Sequence, residues 1–345
     1  MKIIVDAMGG DNAPYAIVEG SLNASKEFGV DIVLVGSGEE ILRSIERMGL
    51  SKLPHGIEIV NASEVINAED DPAAAIRAKR DSSLTVAFYL LRDGRGDALV
   101  SAGSTGAILS GATLIVKRIR GIRRAAMAPY IPNTAGGFIL VDCGANVECS
   151  PEYLLQFAYM GSFYAEDFLK NENPRVGLLN NGAERTKGTP LQHKTYELLE
   201  KAGESGHLNF VGNVEAKDAM TGACDVLVCD GFTGNIFLKA VEGTASLVMS
   251  ELKGLYMKNL STKLSALLIK KHISGLKNKM NPDSVGGTAM LGISKPVIKA
   301  HGSSNSAAVS SAIRQAKNAA ETNIAARLGE NILQMKISDA EDADI

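Results

Sequence analysis

Five short apolar runs, each stopped by a small polar or acidic residue, constrain the fold of this chain more than any other feature. Ile3-Ile4-Val5 stops at Asp6, Ala98-Leu99-Val100 at Ser101, and Phe138-Ile139-Leu140-Val141 at Asp142. The stretches 175–180 and 225–230 end in Asn180 and Asp230. A run without polar alternation is buried on both faces, as a strand of a parallel sheet covered by helices must be. VDIVLVG at 30–36, the short GIEIV and LNFVG at 208–212 read the same way. Helical patterns intervene. One runs from Asp11 or Asn12 with Pro14 to about Phe28, and others cover EEILRSIERMG, DPAAAIRAKR and SLTVAFYLLRDG. Four more lie near 151–169, 190–202, 233–258 and 304–328. The alternation predicts an α/β fold with a mainly parallel sheet. No repeat and no Ser/Pro/Gly linker divides the chain, so one catalytic domain is expected over 1–345. Within it a helical segment is inserted at 251–283, and the acidic tail at 338–345 is expected to be disordered.

In an open parallel sheet the carboxyl ends of the strands share one edge, where ligands bind. MGGD follows Asp6, AGSTGA follows Ser101 and CGAN follows Asp142; NGAERTKGT follows Asn180 and GFTGN follows Asp230. One glycine-rich turn means little, but five on one edge predict a site. Its chemistry is narrowed by elimination. The chain has no GxxxxGK[ST] or GxSxG motif, and GSGEEI at Gly36 and Gly38 is only a fragment of GxGxxG. His193, His207 and His301 are not spaced as a metal-binding pair. What remains is suited to anions. AGSTGA offers backbone N–H groups and two hydroxyls at the start of a helix. Arg185 and Lys187 put two cations in a strand-to-helix loop, either at the site or in a solvated turn. Asn235 follows Asp230 near the first turn of a long helix, where it either caps that helix or faces the site.

Composition adds exclusions. A net charge of −3 gives no general attraction to nucleic acid, and 5% aromatics with no Trp offer no base-stacking platform. Cys143, Cys149, Cys224 and Cys229 lack CxxC spacing and read as buried, reduced thiols. No apolar run reaches the roughly 18 residues of a membrane span, and the first residues begin a strand where an export signal would place a charged stretch. A cytoplasmic protein is expected, or one resting on the inner face of a membrane.

Taken in order, MKIIVDAMGGDNAP, SAGSTGA, VDCGAN, LLNNGAERTKGT, CDGFTGNIFLK and KAHGSSN closely resemble the PlsX-type phosphate acyltransferases, over the chain from its first residue to about 330. The resemblance implies a three-layer α/β/α sandwich similar to isocitrate dehydrogenase and phosphotransacetylase, a homodimer and no cofactor. It implies transfer of a fatty acyl group from acyl carrier protein to inorganic phosphate, with the acyl phosphate passing to a membrane glycerol-phosphate acyltransferase for phospholipid synthesis. The family's catalytic lysine and asparagine map onto Lys187 and Asn235, with Arg185 and Thr186 supporting the lysine. Ser101, Gly103, Ser104, Thr105 and Gly106 would bind phosphate or phosphopantetheine. Asp6, Gly9, Gly10 and Asp11 would shape the crevice floor, and Asn180, Asn181, Asp230, Gly231 and His301 would complete the substrate site.

Two surface features stand apart. KRIRGIRR at 117–124 packs five basic residues into eight positions, and Arg118, Arg120, Arg123 and Arg124 read either as a solvated helix end or as a docking surface for the acidic carrier protein. Residues 251–280 carry seven lysines and one acid among leucines. Leu260, Leu264, Leu267, Leu268, Lys270 and Lys271 there suit either a dimer bundle or a membrane surface. Three rival functions remain: a short-chain phosphotransacetylase using CoA, a non-catalytic membrane scaffold, and a decarboxylating dehydrogenase needing nicotinamide and a divalent metal.

Overall fold

The continuous apolar runs become strands. The computed structural model describes residues 1–259, 261–265, 267, 269, 275, 286–333 and 335. In its first half β1 (Lys2–Asp6), β2 (Asp31–Gly36), β3 (Ile57–Asn61) and β4 (Ala98–Ser101) alternate with α1 (Tyr15–Phe28), α2 (Gly38–Arg47), α3 (Pro72–Ala78) and α4 (Ser83–Arg92). After β4 come α5 (Thr105–Gly111), a π-helical turn over Ala112–Val116, β5 (Ala126–Ala128) and β6 (Tyr130–Ile131). The second half begins with β7 (Phe138–Val141), α6 (Pro151–Leu169), β8 (Arg175–Leu179), α7 (Pro190–Glu204) and β9 (Asn209–Val214). It continues through α8 (Ala216–Ala219), β10 (Val226–Val228) and α9 (Gly231–Met257). The described chain then returns to the first half with β11 (Thr288–Leu291), β12 (Val297–Lys299), α10 (Ser306–Glu321) and α11 (Ile324–Glu330).

The strands form two sheets, ordered β3-β2-β1-β4-β12-β11-β5 and β6-β7-β10-β8-β9. Both are parallel at their centres; the antiparallel pairs are β11 with β12, β11 with β5, and β6 with β7. Helices cover both faces, as expected for an α/β/α sandwich. Ile3, Val5 and Val100 pack toward Val18 of α1 and Val309 of α10, while Ile4 and Leu99 meet Phe88 and Leu91 of α4. In the second sheet Val141 and Val228 lie with Phe157 of α6, and Phe138 meets Phe237 of α9 with ring centroids 6.2 Å apart. The sheets are joined edge to edge, because the chain leaving β5 enters β6 through Pro129, whose carbonyl accepts from Leu140 N–H at 3.0 Å.

Strands β5, β6, β11 and β12 escaped the sequence reading. Each spans two to four residues, and Gly292, Ser294 and Pro296 interrupt the apolar pattern between the last two. The helix expected over 304–328 is two helices, broken at Asn323 with φ 48°. The basic stretch is a loop after the π-helical turn, with Arg118 bridged to Ile293. Within α9 only Gly231 and Gly234 are fully buried; Phe237, Leu238 and Val241 pack partly buried against the core, and most of the helix beyond them is exposed. Of the expected membrane residues, Leu264 and Leu267 are 66% and 69% exposed, whereas Leu260, Leu268, Lys270 and Lys271 lie outside the described residues, as does the tail at 338–345. Among the described residues no helix is long and apolar enough to cross a membrane.

A Cβ at Gly234 would stand 2.0 Å from the carbonyl oxygen of Asp142, a backbone atom that cannot swing away. Gly234→Ala is therefore expected to cost roughly 3 kcal/mol, the upper end of ordinary overpacking. Urea unfolding of the variant beside the wild type measures it.

Candidate active site at the strand ends

Three loops of the first sheet are knitted together at its carboxyl edge. Asp6 is 2% exposed; Ser101 Oγ donates to its Oδ2 at 2.7 Å and Met8 N–H to its Oδ1 at 3.3 Å. Gly103 N–H donates in turn to Ser101 Oγ at 3.0 Å. A Cβ at Gly9 would lie 2.6 Å from Asp6 Oδ2 and 2.8 Å from Gly103 N, so only glycine lets the two loops touch. Gly10 turns the chain with φ +98°, and Asp11 N–H reaches Gly302 O at 2.8 Å. Asn12 Nδ2 donates to Ser303 O at 3.1 Å. His301 is exposed; its Nδ1 accepts from Ser303 N–H at 3.2 Å, which fixes the ring. Ser104 and Thr105 are half-buried, and Ser104 starts α5 without a side-chain cap bond. Among the described residues their hydroxyls, with Gly103 and Gly106 alongside, make no hydrogen bond to a side chain.

The second sheet has its own hub. Asp142 is fully buried and accepts from Met127 N (2.8 Å), Cys143 N (2.6 Å), Asn146 N (2.7 Å) and Asn146 Nδ2 (2.9 Å). Gly231 must lack a Cβ here, because one would sit 2.6 Å from Asn146 O and 2.7 Å from Asp142 Oδ2. Asp230 caps α9, accepting from Thr233 N–H at 2.8 Å and from Thr233 Oγ1 at 2.7 Å. Asn235 is therefore not the cap. It is exposed one turn further along, close enough to Gly144 that a Cβ there would lie 3.7 Å from its Cγ. Burial pushes the Cys143 thiol up to about 12, which leaves it protonated and unreactive.

The loop after β8 presents Lys187. Asn180 organises it: Nδ2 donates to Lys187 O at 3.0 Å and Oδ1 accepts from Asn181 N–H at 2.8 Å. The Lys187 side chain passes over Gly182, where a Cβ would be 2.8 Å from Lys187 Cγ. Its ammonium is exposed and meets no carboxylate among the described residues. Arg185 behaves differently, since it pairs with Glu200 at 2.8 Å and lies over the Tyr196 ring at 5.2 Å. Thr186 is exposed in the turn between them. The exposed Arg118, Arg120, Arg123 and Arg124 sit on a loop held by buried Gln156, which accepts from Arg123 N–H at 2.9 Å and donates to Gly121 O at 3.0 Å.

Four of the expected site residues also hold structure: Asp6 and Ser101 hydrogen-bond one another, Asp230 caps α9, and Arg185 pairs with Glu200. Two further residues lie at this edge: Asn146, within the VDCGAN motif, and Lys299, which opens KAHGSSN two residues before His301.

Two joined sheets with ligand-suited loops at the carboxyl ends of parallel strands define an α/β/α fold. A phosphotransacetylase from Streptococcus pyogenes superposes with a TM-score of 0.61 at 18% identity, covering 93% of this chain and 94% of that one. A branched-chain phosphotransacylase from Enterococcus faecalis gives 0.58 at 14% identity, with 93% and 99% covered. At such identities the likeness concerns the fold alone. The family model described as "Fatty acid synthesis protein" matches residues 1–327. A phosphate acyltransferase of Thermoanaerobacterium thermosaccharolyticum is 45% identical over 332 residues, 96% of this chain and 97% of the relative. One from Bacillus licheniformis is 45% identical over 336 residues, covering 97% and 99%. The chain belongs to this PlsX family of fatty acid synthesis proteins, and it is an acyltransferase enzyme.

Burial raises the Asp6 carboxyl above its ordinary value, outweighing the hydrogen bonds from Ser83, Ser101 and the Met8 and Gly9 backbone. Between 3.8 and that raised value the folded state holds the extra proton, so stability falls as pH rises through this window. Asp6→Asn is expected to remove that part of the slope in unfolding measurements at stepped pH.

Proposed function

We propose that this enzyme transfers a fatty acyl group from the thioester of acyl carrier protein to inorganic phosphate. A phosphate oxygen attacks the thioester carbonyl, the C–S bond breaks, and acyl phosphate leaves beside free carrier-protein thiol. The phosphate proton ends on the departing sulfur, so atoms and charge balance. Phosphate is already an anion near neutral pH, and a thiolate with a pKa near 8.5 leaves with little help. The protein's task is to position the reactants and to stabilise the tetrahedral oxyanion, worth roughly 3–4 kcal/mol per well-placed donor. Lys187, carried on a preorganised loop and without a carboxylate partner among the described residues, serves that charge, and Asn235 donates its amide to the thioester carbonyl. Ser104 and Thr105 hold phosphate or the phosphopantetheine arm. The observation that carries this reading is the Gly103–Thr105 loop with its two uncommitted hydroxyls, in a chain related along nearly its whole length to phosphate acyltransferases.

The assembly follows from α9. Phe232, Ile236, Leu247 and Leu255 are 58%, 55%, 61% and 59% exposed along one helix that the core does not cover. We infer that a second copy covers it, giving a homodimer, and that the leucines and lysines beyond α9 rest on the membrane where the acyl phosphate reaches its glycerol-phosphate acyltransferase. The exposed arginines of 118–124 suit the acidic carrier protein by charge. Leu247→Glu is expected to shift the protein from dimer to monomer in sedimentation, with far-ultraviolet dichroism retained.

Palmitoyl carrier protein and phosphate, with hydroxylamine as the trap, test the reaction. Phosphate-dependent hydroxamate is expected from the wild type and from Cys143→Ser, and a loss of about 100-fold or more in Lys187→Ala. Acetyl-CoA as the preferred donor would instead favour a short-chain phosphotransacetylase. No product from folded wild type would leave the scaffold reading.

A further inference from the structure

Lys299 is the last residue of β12, and the strand register puts it in a polar row. Lys299 pairs with Ser101 across β12 and β4, while Val100 pairs with Val5 across β4 and β1. The next rung of the second ladder sets Ser101 beside Asp6, as their 2.7 Å hydrogen bond confirms. Asp6, Ser101 and Lys299 thus stand side by side on one face of the sheet. The first two satisfy each other. Lys299 does not: its ammonium donates to the carbonyl of the adjacent Ala300 at 3.0 Å, and to no carboxylate among the described residues.

The neighbouring charges sharpen this. Lys239 and Glu242 of α9 are the charged groups that act on Lys299, and they pair with each other at 2.8 Å. Among the described residues two cations share one carboxylate there, so the cluster carries one positive charge without a carboxylate partner in a half-buried place. Lys239 and Glu242 also act on Cys143 at the end of β7, so the cluster lies where the carboxyl edges of the two sheets meet. An oxyanion arriving there would supply the missing charge, with the Gly103 loop on the strand alongside.

We propose that Lys299 anchors the attacking inorganic phosphate, holding it between the end of β12 and the Gly103–Thr105 loop. This rests on the acyl transfer to phosphate proposed above and assigns the nucleophile's end of that site. Desolvation, with the charge of Lys239 added, holds the Lys299 ammonium below its ordinary value, against the opposing pull of Glu242. Phosphate binding should therefore weaken on the alkaline side before an ordinary lysine would titrate. Asp6 two strands away and His301 two residues along are the other titratable groups of this edge.

The test varies phosphate and acyl carrier protein separately in the wild type, Lys299→Met, Lys299→Gln and Lys299→Arg. The neutral variants are expected to raise the KM for phosphate about tenfold or more, with the carrier-protein KM within about threefold. Lys299→Arg should recover much of the phosphate affinity and lose the alkaline weakening, because its guanidinium stays charged. Thermal unfolding with inorganic phosphate gives a readout independent of turnover: a rise in Tm in the wild type, absent in Lys299→Gln. An unchanged phosphate KM and Tm response in a folded neutral variant overturns the assignment. Should the wild type form no acyl phosphate, the proposed function fails, while the Tm comparison still decides whether Lys299 binds phosphate.

Discussion

The buried carboxylate of Asp142 is the interaction on which the rest of the molecule depends. It accepts from Met127 on the last strand of the first sheet, from its own loop, and from Asn146, which also donates to Ala125 O at 2.8 Å. A charge or hydroxyl in that place would be expensive without these donors. With them it fastens the edge of one sheet to the loops of the other and sets the floor on which α9 begins. Gly231 and Gly234 are the matching requirement on the helix side. The start of α9, and hence Asn235, is placed by backbone contact with no side chain between.

The same economy explains the division of labour among the conspicuous polar residues. Buried ones, such as Asp6, Ser101, Asp142 and Asp230, close hydrogen bonds among loops and hold shape. Lys187, Asn235, Ser104 and Thr105 keep unspent polar groups among the described residues, on loops and helix starts whose backbone is held from behind. A site built this way suits a reaction whose reactants bring their own nucleophile and leaving group, because rigidity and oriented charge are what it needs.

Much of this was legible in the residues. Continuous apolar runs ending at Asp6, Ser101, Asp142 and Asn180 gave the parallel strands and the edge where the loops gather, because burial on both faces leaves no other reading. The two-sheet division was not legible. It depends on β5, β6, β11 and β12, whose few residues are strands only because neighbouring strands supply their hydrogen bonds. The contacts of individual polar residues were equally hidden: the sequence cannot show that Asp230 caps α9 through Thr233 or that Arg185 lies between Glu200 and Tyr196. Lys299 was overlooked because strand register, which places it beside Ser101, is a property of two distant segments.

The length of α9 has a mechanical consequence. Its 27 residues make a rod about 40 Å long, with Asn235 near the root and the lysine-rich sequence following its far end. A rod anchored by backbone contact at one end does not bend to suit what its other end meets. The distance between Asn235 and the surface at the tip is therefore built in by residue count. Each residue added to or removed from the helix would move that surface by about 1.5 Å and rotate it by about 100°.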